Sequence, residues 1–393
     1  MNKSTPASVP FSVHPVAVCL LVTLMLLVTS GSAGLAETAM PAALTGKFAA
    51  AIVIDADTGE ILVANNINTR RQPASMIKML TELIVLDKVA EGDVSFTDQV
   101  TISAKASRMG GSQVYLKHNE IFTVEELLQA LAIHSANDAA VALAEHVAGT
   151  TEAFVDLMNL RAAELGMRDT EIHSVHGLPA SRGQKPDLTS AFDLALLGRH
   201  LIQFPEALRW SSTAKSSFRD GEFDLYNPNK LIGRFRGLDG IKTGYHKQAG
   251  FCVTASAVQK GKRLISVVMG APTDEDRATE TTRLLSYGFN LFTQVTLVEE
   301  GRTPLDERRD LKGGKQKQVA VAYVGPLVVG VPKDRIQDVL LRARFGEELV
   351  APLEEGEEVG EGVALLDGFV LGRVPIVTIE AVAKGSWLDR LFK

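Results

Sequence analysis

The feature that most constrains the fold is a change of hydrophobic period along the chain. Over residues 75–90 the apolar side chains Met76, Ile77, Leu80, Leu83, Ile84 and Val85 recur at helical spacing, and Pro73 suits the entry to a helix. Residues 124–133, 139–147, 154–165 and 194–201 read as further helices. On either side the pattern turns strand-like. Residues 48–54 and 61–64 form a hairpin pattern around the turn residues 55–59, and strands return at 251–258 and 264–269. A helix-rich middle between strands predicts an α+β domain whose first and last strands share one sheet.

The character shifts again near residue 300. Residues 302–317 are charged and carry Pro304, Gly313 and Gly314, as a connecting segment would. Short alternating runs follow at 319–323, 327–331, 363–366 and 374–379, the pattern of a small all-β domain. The acidic run 354–358 reads as a solvated turn. With 393 residues more than one domain is expected, and the division read here is 37–295 for the α+β domain and 296–383 for the β domain.

Residues 1–36 read as a secretory signal. Lys3 is the one full positive charge, residues 16–28 are an apolar run broken only by Thr23, and small residues follow, with Gly34 and Ala36 or Gly31 and Ala33 as cleavage pairs. The run is shorter than the ~20 residues of an easy membrane span. An exported protein, periplasmic or on the outer face of the cytoplasmic membrane, is therefore expected. Cys19 falls inside the signal, which leaves Cys252 alone and read as a small buried hydrophobe. Residues 384–393 form a short tail in which Trp387, Leu388, Leu391 and Phe392 would share one helical face. Two readings stay open for residues 387–393: a foot touching the membrane surface, or a tail that is frayed or packed on the β domain.

Three short motifs stand in a fixed order: Ser75-Met76-Ile77-Lys78, Ser135-Ala136-Asn137 and Lys242-Thr243-Gly244. Each alone is weak, but their settings reinforce one another. The first opens an apolar helix, so that Ser75 and Lys78 project about one turn apart on one face. The second sits between two helices and the third precedes an alternating strand. A serine hydroxyl becomes a useful nucleophile only when a base takes its proton. A lysine serves as that base only if its pKa falls from about 10.4 towards roughly 7–8. Burial and a second cation both push it that way. Ser75 is thus the expected nucleophile, Lys78 the general base and Lys242 the second cation. Ser135 is expected to relay the proton to the leaving amine, held between the two lysines. Asn137 would bind the substrate amide and help position Lys78, and Thr243, with Gly244, the substrate carboxylate. The backbone N–H groups of Ser75 and Tyr245 would form the oxyanion hole.

On these motifs the chain resembles the low-molecular-mass penicillin-binding proteins, the serine-type D-Ala-D-Ala carboxypeptidases. The segments Gly111-Ser112-Gln113-Val114-Tyr115-Leu116, Ser135 to His146, His176-Gly177-Leu178 and Asp239 to Gly244 resemble the family as well. The resemblance implies a penicillin-binding/β-lactamase-like transpeptidase domain followed by a β domain. It also implies a peptidoglycan peptide ending in D-Ala-D-Ala as substrate, and β-lactams that acylate the same serine. Arg277 matches a family arginine that helps hold the substrate carboxylate. A second arginine found upstream of K-T-G in some relatives is replaced here by Pro228. His176 resembles a position bordering the site but reads from composition as structural, as does His134.

No metal-ligand spacing and no Gly-rich phosphate loop accompany these motifs, so neither metal nor cofactor is expected. The net charge of −6 and the lack of a basic stripe argue against nucleic acid. A β-lactamase would need a dedicated deacylating base, and no E-x-x-L-N segment lies between S-x-N and K-T-G. A D,D-endopeptidase on cross-linked peptides is the nearer alternative. A wall-binding scaffold would have no use for an intact Ser75, Lys78, Ser135 and Lys242.

Overall fold

The computed structural model describes residues 44–346 and 348–386. The leader expected over residues 1–36 and the 387–393 foot lie outside the described residues. Among the described residues no helix is long and apolar enough to cross a membrane.

The chain begins with the expected hairpin, β1 (Ala50–Asp55) and β2 (Ile61–Asn65). A 3-10 turn, Ala74–Ile77, then leads into α1 (Lys78–Glu91), which stops at Gly92 in the left-handed conformation. A two-stranded ribbon of β3 (Gln99–Thr101) and β4 (Ile121–Thr123) precedes α2 (Val124–His134). Thr123 and Glu126 close a reciprocal capping box at the start of α2, which is why the helix begins there. Then come α3 (Asn137–Ala148), α4 (Thr151–Glu164), α5 (Ala191–Leu201) and α6 (Pro205–Ser211). A second ribbon, β5 (Lys215–Phe218) with β6 (Phe223–Tyr226), leads to the long hairpins β7 (Leu238–His246), β8 (Gly250–Gln259) and β9 (Lys262–Ala271). The domain ends with α7 (Asp274–Asn290), capped by Thr273 with three acidic residues in its first turn.

The main sheet is antiparallel in the order β2-β1-β9-β8-β7. The first and last strands do share one sheet: Ile52 lies opposite Val267 and Ile54 opposite Ile265. Alternate residues serve opposite faces. Ala50, Ile52, Ile54, Val267 and Met269 pack with the helical middle, while Ala51, Val53, Val253 and Val268 meet Leu284, Leu285 and Phe289 of α7. The helix α1 runs through the interior, with every residue from Lys78 to Leu86 buried. A helix enclosed on all sides can carry a polar side chain only where another group answers it, and Lys78, Thr81 and Glu82 stand on this one. Cys252 is buried and unpaired, its thiol pushed up to about 11 chiefly by burial, as a small core residue should be.

Beyond α7 the chain is all β. The strands β10 (Phe292–Pro304), β13 (Val321–Pro332), β14 (Leu340–Phe345), β15 (Glu358–Leu366) and β16 (Phe369–Thr378) form a sheet in the order β10-β13-β16-β15-β14. A short pair, β11 (Arg309–Asp310) with β12 (Gln318–Val319), lies between β10 and β13 in sequence. Two apolar clusters of its own, around Val329 and Val374 and around Val321 and Ile376, give this sheet a separate core.

Candidate active site

Ser75 lies in the 3-10 turn, on the residue after Ala74, whose φ is +50°. That turn hands the chain to α1, so Lys78 stands one helical turn below the hydroxyl. The Lys78 Nζ is fully buried, lies 3.0 Å from Ser75 Oγ and donates to the His176 carbonyl at 2.8 Å. Burial, and then the charge of Lys242, hold this amine well below the ordinary lysine range; the Asp138 and Asp187 charges oppose that but do not offset it.

The strand β7 is the edge of the sheet, so half of its backbone groups are left unpaired by β8. It runs directly against the Ser75 turn. A Cβ added at Gly244 would sit 2.7 Å from the Pro73 carbonyl oxygen and 3.0 Å from the Ser75 nitrogen. Only glycine lets the third motif approach the first so closely. Lys242 and Thr243 are buried just before it, and Tyr245, just after, is exposed and stacks on Phe251 with ring centroids 4.1 Å apart. Burial holds the Lys242 amine down at about 7, against the attraction of Glu82.

The second motif forms the sharp connection between α2 and α3. Ser135 caps α2 in the left-handed conformation (φ 64°), which costs a non-glycine residue roughly 1 kcal/mol. Asn137 opens α3, and its Nδ2 donates to the Gly110 carbonyl at 2.7 Å, while its buried Oδ1 has no partner among the described residues. Asp138 secures the segment over the turn by accepting from the Val114 and Leu116 N–H groups. On the other side Asp187 accepts from the His173 and Ser174 N–H groups and from the Ser174 hydroxyl. That holds the turn whose next residue, Gly177, has φ 78° and leaves no room for a Cβ, which would fall 2.0 Å from the Ala74 carbonyl oxygen.

The first and third motifs therefore meet, and the second lies near enough for the Asp138 charge to act on Lys78, but not every expected contact forms. Lys242 Nζ donates to the Thr243 carbonyl at 3.2 Å rather than to Ser135, and Asn137 holds Gly110 rather than Lys78. The group that does hold Lys78 is a backbone carbonyl, that of His176. Its imidazole, kept neutral at about 4 by burial, accepts from the Leu178 N–H. Arg277 lies in the first turn of α7, buried, with its guanidinium paired to Asp274 and long contacts to the Cys252 carbonyl (3.4 Å) and the Pro228 carbonyl (3.5 Å). Asp274 also pairs with Lys230 at 2.6 Å. One participant escaped the sequence reading: the His176 carbonyl, which no side-chain pattern can reveal.

A serine beside a buried, weakly basic lysine, beneath the edge strand of an antiparallel sheet flanked by helices, defines an active-site-serine peptidase of the penicillin-recognising fold. Residues 37–273 match the peptidase S11 family, described as D-alanyl-D-alanine carboxypeptidase, and residues 292–384 match the C-terminal domain of penicillin-binding protein 5. The chain is 34% identical to the D-alanyl-D-alanine carboxypeptidase DacF of Bacillus subtilis over 345 residues, 87% of each chain. It is 32% identical to DacC of Escherichia coli, over 87% of this chain and 86% of the relative. Among solved structures, penicillin-binding protein 5 of Haemophilus influenzae superposes with a TM-score of 0.63 at 31% identity, over 87% of this chain and 99% of that one. Penicillin-binding protein D2 of Listeria monocytogenes, solved in an ampicillin-bound form, gives 0.58 at 32% identity over 63% of this chain and 99% of that one. The chain belongs to the D-alanyl-D-alanine carboxypeptidase family of serine peptidases.

Proposed function

We propose that this chain removes the terminal D-Ala from peptidoglycan pentapeptides through an acyl-enzyme on Ser75. The observation that carries the assignment is the fully buried Lys78 amine 3.0 Å from Ser75 Oγ. An amine held well below its ordinary range gives up its proton more readily and can then accept the hydroxyl proton.

In the first half-reaction Ser75 Oγ bonds to the penultimate D-Ala carbonyl carbon as its proton passes to Lys78. The oxyanion rests on the Ser75 and Tyr245 N–H groups. The C–N bond then breaks, the proton returns through Ser135 to the amine, and D-Ala leaves. Water next attacks the ester, giving the shortened peptide and restoring Ser75. The unpartnered Asn137 Oδ1 suits a substrate amide N–H, and the open edge of β7 suits an extended peptide laid against it. Lys242, Thr243 and Arg277 form the cationic and hydroxyl side of the cleft, where the substrate carboxylate would sit. Penicillins carry a carboxylate beside a reactive amide and would acylate the same serine.

Export through a leader at residues 1–36 belongs to this reading, because the substrate lies outside the cytoplasmic membrane. So does the division of labour: residues 37–295 carry the reaction and residues 296–383 form an accessory β domain, with residues 387–393 able to touch the membrane surface. Release of D-Ala from a pentapeptide by the unaltered protein, and none by Ser75→Ala, is the expected result. Cleavage of a cross-linked dimer without release of terminal D-Ala would instead identify an endopeptidase.

A further inference from the structure

Residues 110–116 form a strap across the second motif, bonded to that motif on one side and to the β5–β6 ribbon on the other. The Ser112 carbonyl accepts from the Asn137 N–H at 2.8 Å, and the Ser112 hydroxyl donates to the His134 carbonyl at 2.7 Å. The Gly110 carbonyl takes the Asn137 Nδ2, and the Asp138 carboxylate takes the N–H groups of Val114 and Leu116. From the other side Arg219, in the turn between β5 and β6, donates to the Val114 and Tyr115 carbonyls, both at 2.9 Å.

Held in this way, Tyr115 has a left-handed backbone, with φ +57°. Glycine is the ordinary occupant of such a position, and a bulky residue there is a true outlier. Burial of the ring would offset the strain, yet Tyr115 is 62% exposed and its ring meets Phe223 edge-on, with centroids 6.1 Å apart. Phe223 in turn stands 5.6 Å from the ring of His134, the residue before Ser135. Tyr226, also exposed, donates its N–H to His134 Nδ1. The fold thus presents an aromatic ring outward beside the second motif on a strained backbone, and strain of this kind gathers at ligand clamps.

We propose that Tyr115 is a specificity-determining residue of the cleft, its ring packing on the stem-peptide residues N-terminal to the D-Ala pair. The inference rests on the reading of Ser75 and Asn137 given above. Reach supports it. Tyr115 lies three residues along the strap from Ser112, hence within about 10 Å of the backbone that meets Asn137. A pentapeptide bonded at Ser75, with an amide on Asn137, has roughly three residues still to run, up to about 10 Å of extended chain. Those residues present the CH2 groups and peptide planes that an aromatic face covers well. Phe223 and Tyr226 continue the aromatic rim beside Tyr115. A substrate cut down to the D-Ala pair is too short to reach it.

The test compares Tyr115→Gly with the unaltered protein by following D-Ala release from two substrates, a pentapeptide and acetyl-D-Ala-D-Ala. The ratio of the two kcat/KM values is expected to fall roughly five- to tenfold, mainly through KM for the pentapeptide. Glycine suits the backbone at this position, so the melting temperature is expected to hold or rise. Tyr115→Phe, which keeps the ring, is expected to recover most of the ratio. An unmoved ratio overturns the proposal. So does an equal loss on both substrates, since a ring needed only for the fold would act that way. Should Tyr115→Gly fail to fold, Tyr115→Asn, whose side chain tolerates the same φ, takes its place; failure of both to fold also overturns the proposal. Labelling of Ser75 by 6-aminopenicillanic acid, which has no acyl side chain to reach the rim, is read alongside. Its absence from the unaltered protein would refute the nucleophile assignment rather than the role of Tyr115.

Discussion

Replacing Glu82 by methionine should make the protein more stable, and the gain should depend on pH in a defined direction. In the unfolded chain Glu82 titrates at 4.5, whereas in the fold it holds its proton up to about 8. The folded state therefore binds a proton that the unfolded state lacks between those values, so the native state loses stability as pH rises through that window. One pKa unit corresponds to about 1.4 kcal/mol, so at pH 7 the penalty is about 3 kcal/mol, and at pH 5 it falls below about 1. Methionine keeps the length of the side chain and removes both the penalty and the Oε1, which has no partner among the described residues. From this roughly 1 kcal/mol is subtracted for the repacking that an apolar side chain demands at this site. A net gain of about 2 kcal/mol raises the melting temperature of a domain this size by roughly 4–8 °C. Thermal melts at pH 7 and pH 5 measure it. The variant should melt higher at pH 7, with most of the gap gone at pH 5. A variant that melts lower at pH 7, or a gap that does not close, would refute the reasoning.

Other perturbations reach the site from different sides. Gly177→Ala must fit a Cβ against the Ala74 carbonyl at φ 78°; displacing the turn that holds Lys78 by about 1 Å should slow penicillin acylation on the order of 100-fold, and a rate within twofold would show that the turn is not needed. Activity should fall on acidification as Lys78 takes up its proton, with the limb far below the ordinary lysine value because burial and Lys242 hold that amine down. Lys78→Arg, whose guanidinium stays charged, should abolish acylation at every pH tested, and appreciable acylation in that variant would remove Lys78 as the base. Asp274→Asn frees the Arg277 guanidinium from its ion pair. If Arg277 holds the substrate carboxylate, KM for the pentapeptide should drop several-fold with kcat little changed, and an unchanged KM would place the carboxylate elsewhere.

The chemistry was legible where it rests on side chains in short motifs. Ser75, Lys78, Ser135, Asn137, Lys242 and Gly244 were all named from spacing, and the fold sets the Lys78 amine beside Ser75 Oγ and Gly244 of the edge strand against the Ser75 turn. The helices over 75–90 and 124–133 and the pairing of the first strand with the last were readable from periodicity, since one face of each element is apolar. What escaped has physical causes. The helix Asp274–Asn290 hid behind its charged start, Asp274-Glu275-Asp276-Arg277, because only Leu284, Leu285 and Phe289 mark its buried face. The strand β14 offers little inward apolar surface, its residues being mostly exposed at a sheet edge. Glu82 looks like a solvent-facing residue until every residue of α1 from Lys78 to Leu86 is seen to be buried. The anchoring of Lys78 by the His176 carbonyl has no side-chain signature at all.

The whole account turns on which oxygen becomes acylated. Treating the protein with penicillin and mapping the adduct by mass spectrometry of its peptides asks that directly. The expected result is one adduct, on the peptide that contains Ser75, formed by the unaltered protein and lost in Ser75→Ala. An adduct on another residue, or one that persists undiminished in Ser75→Ala, would contradict it.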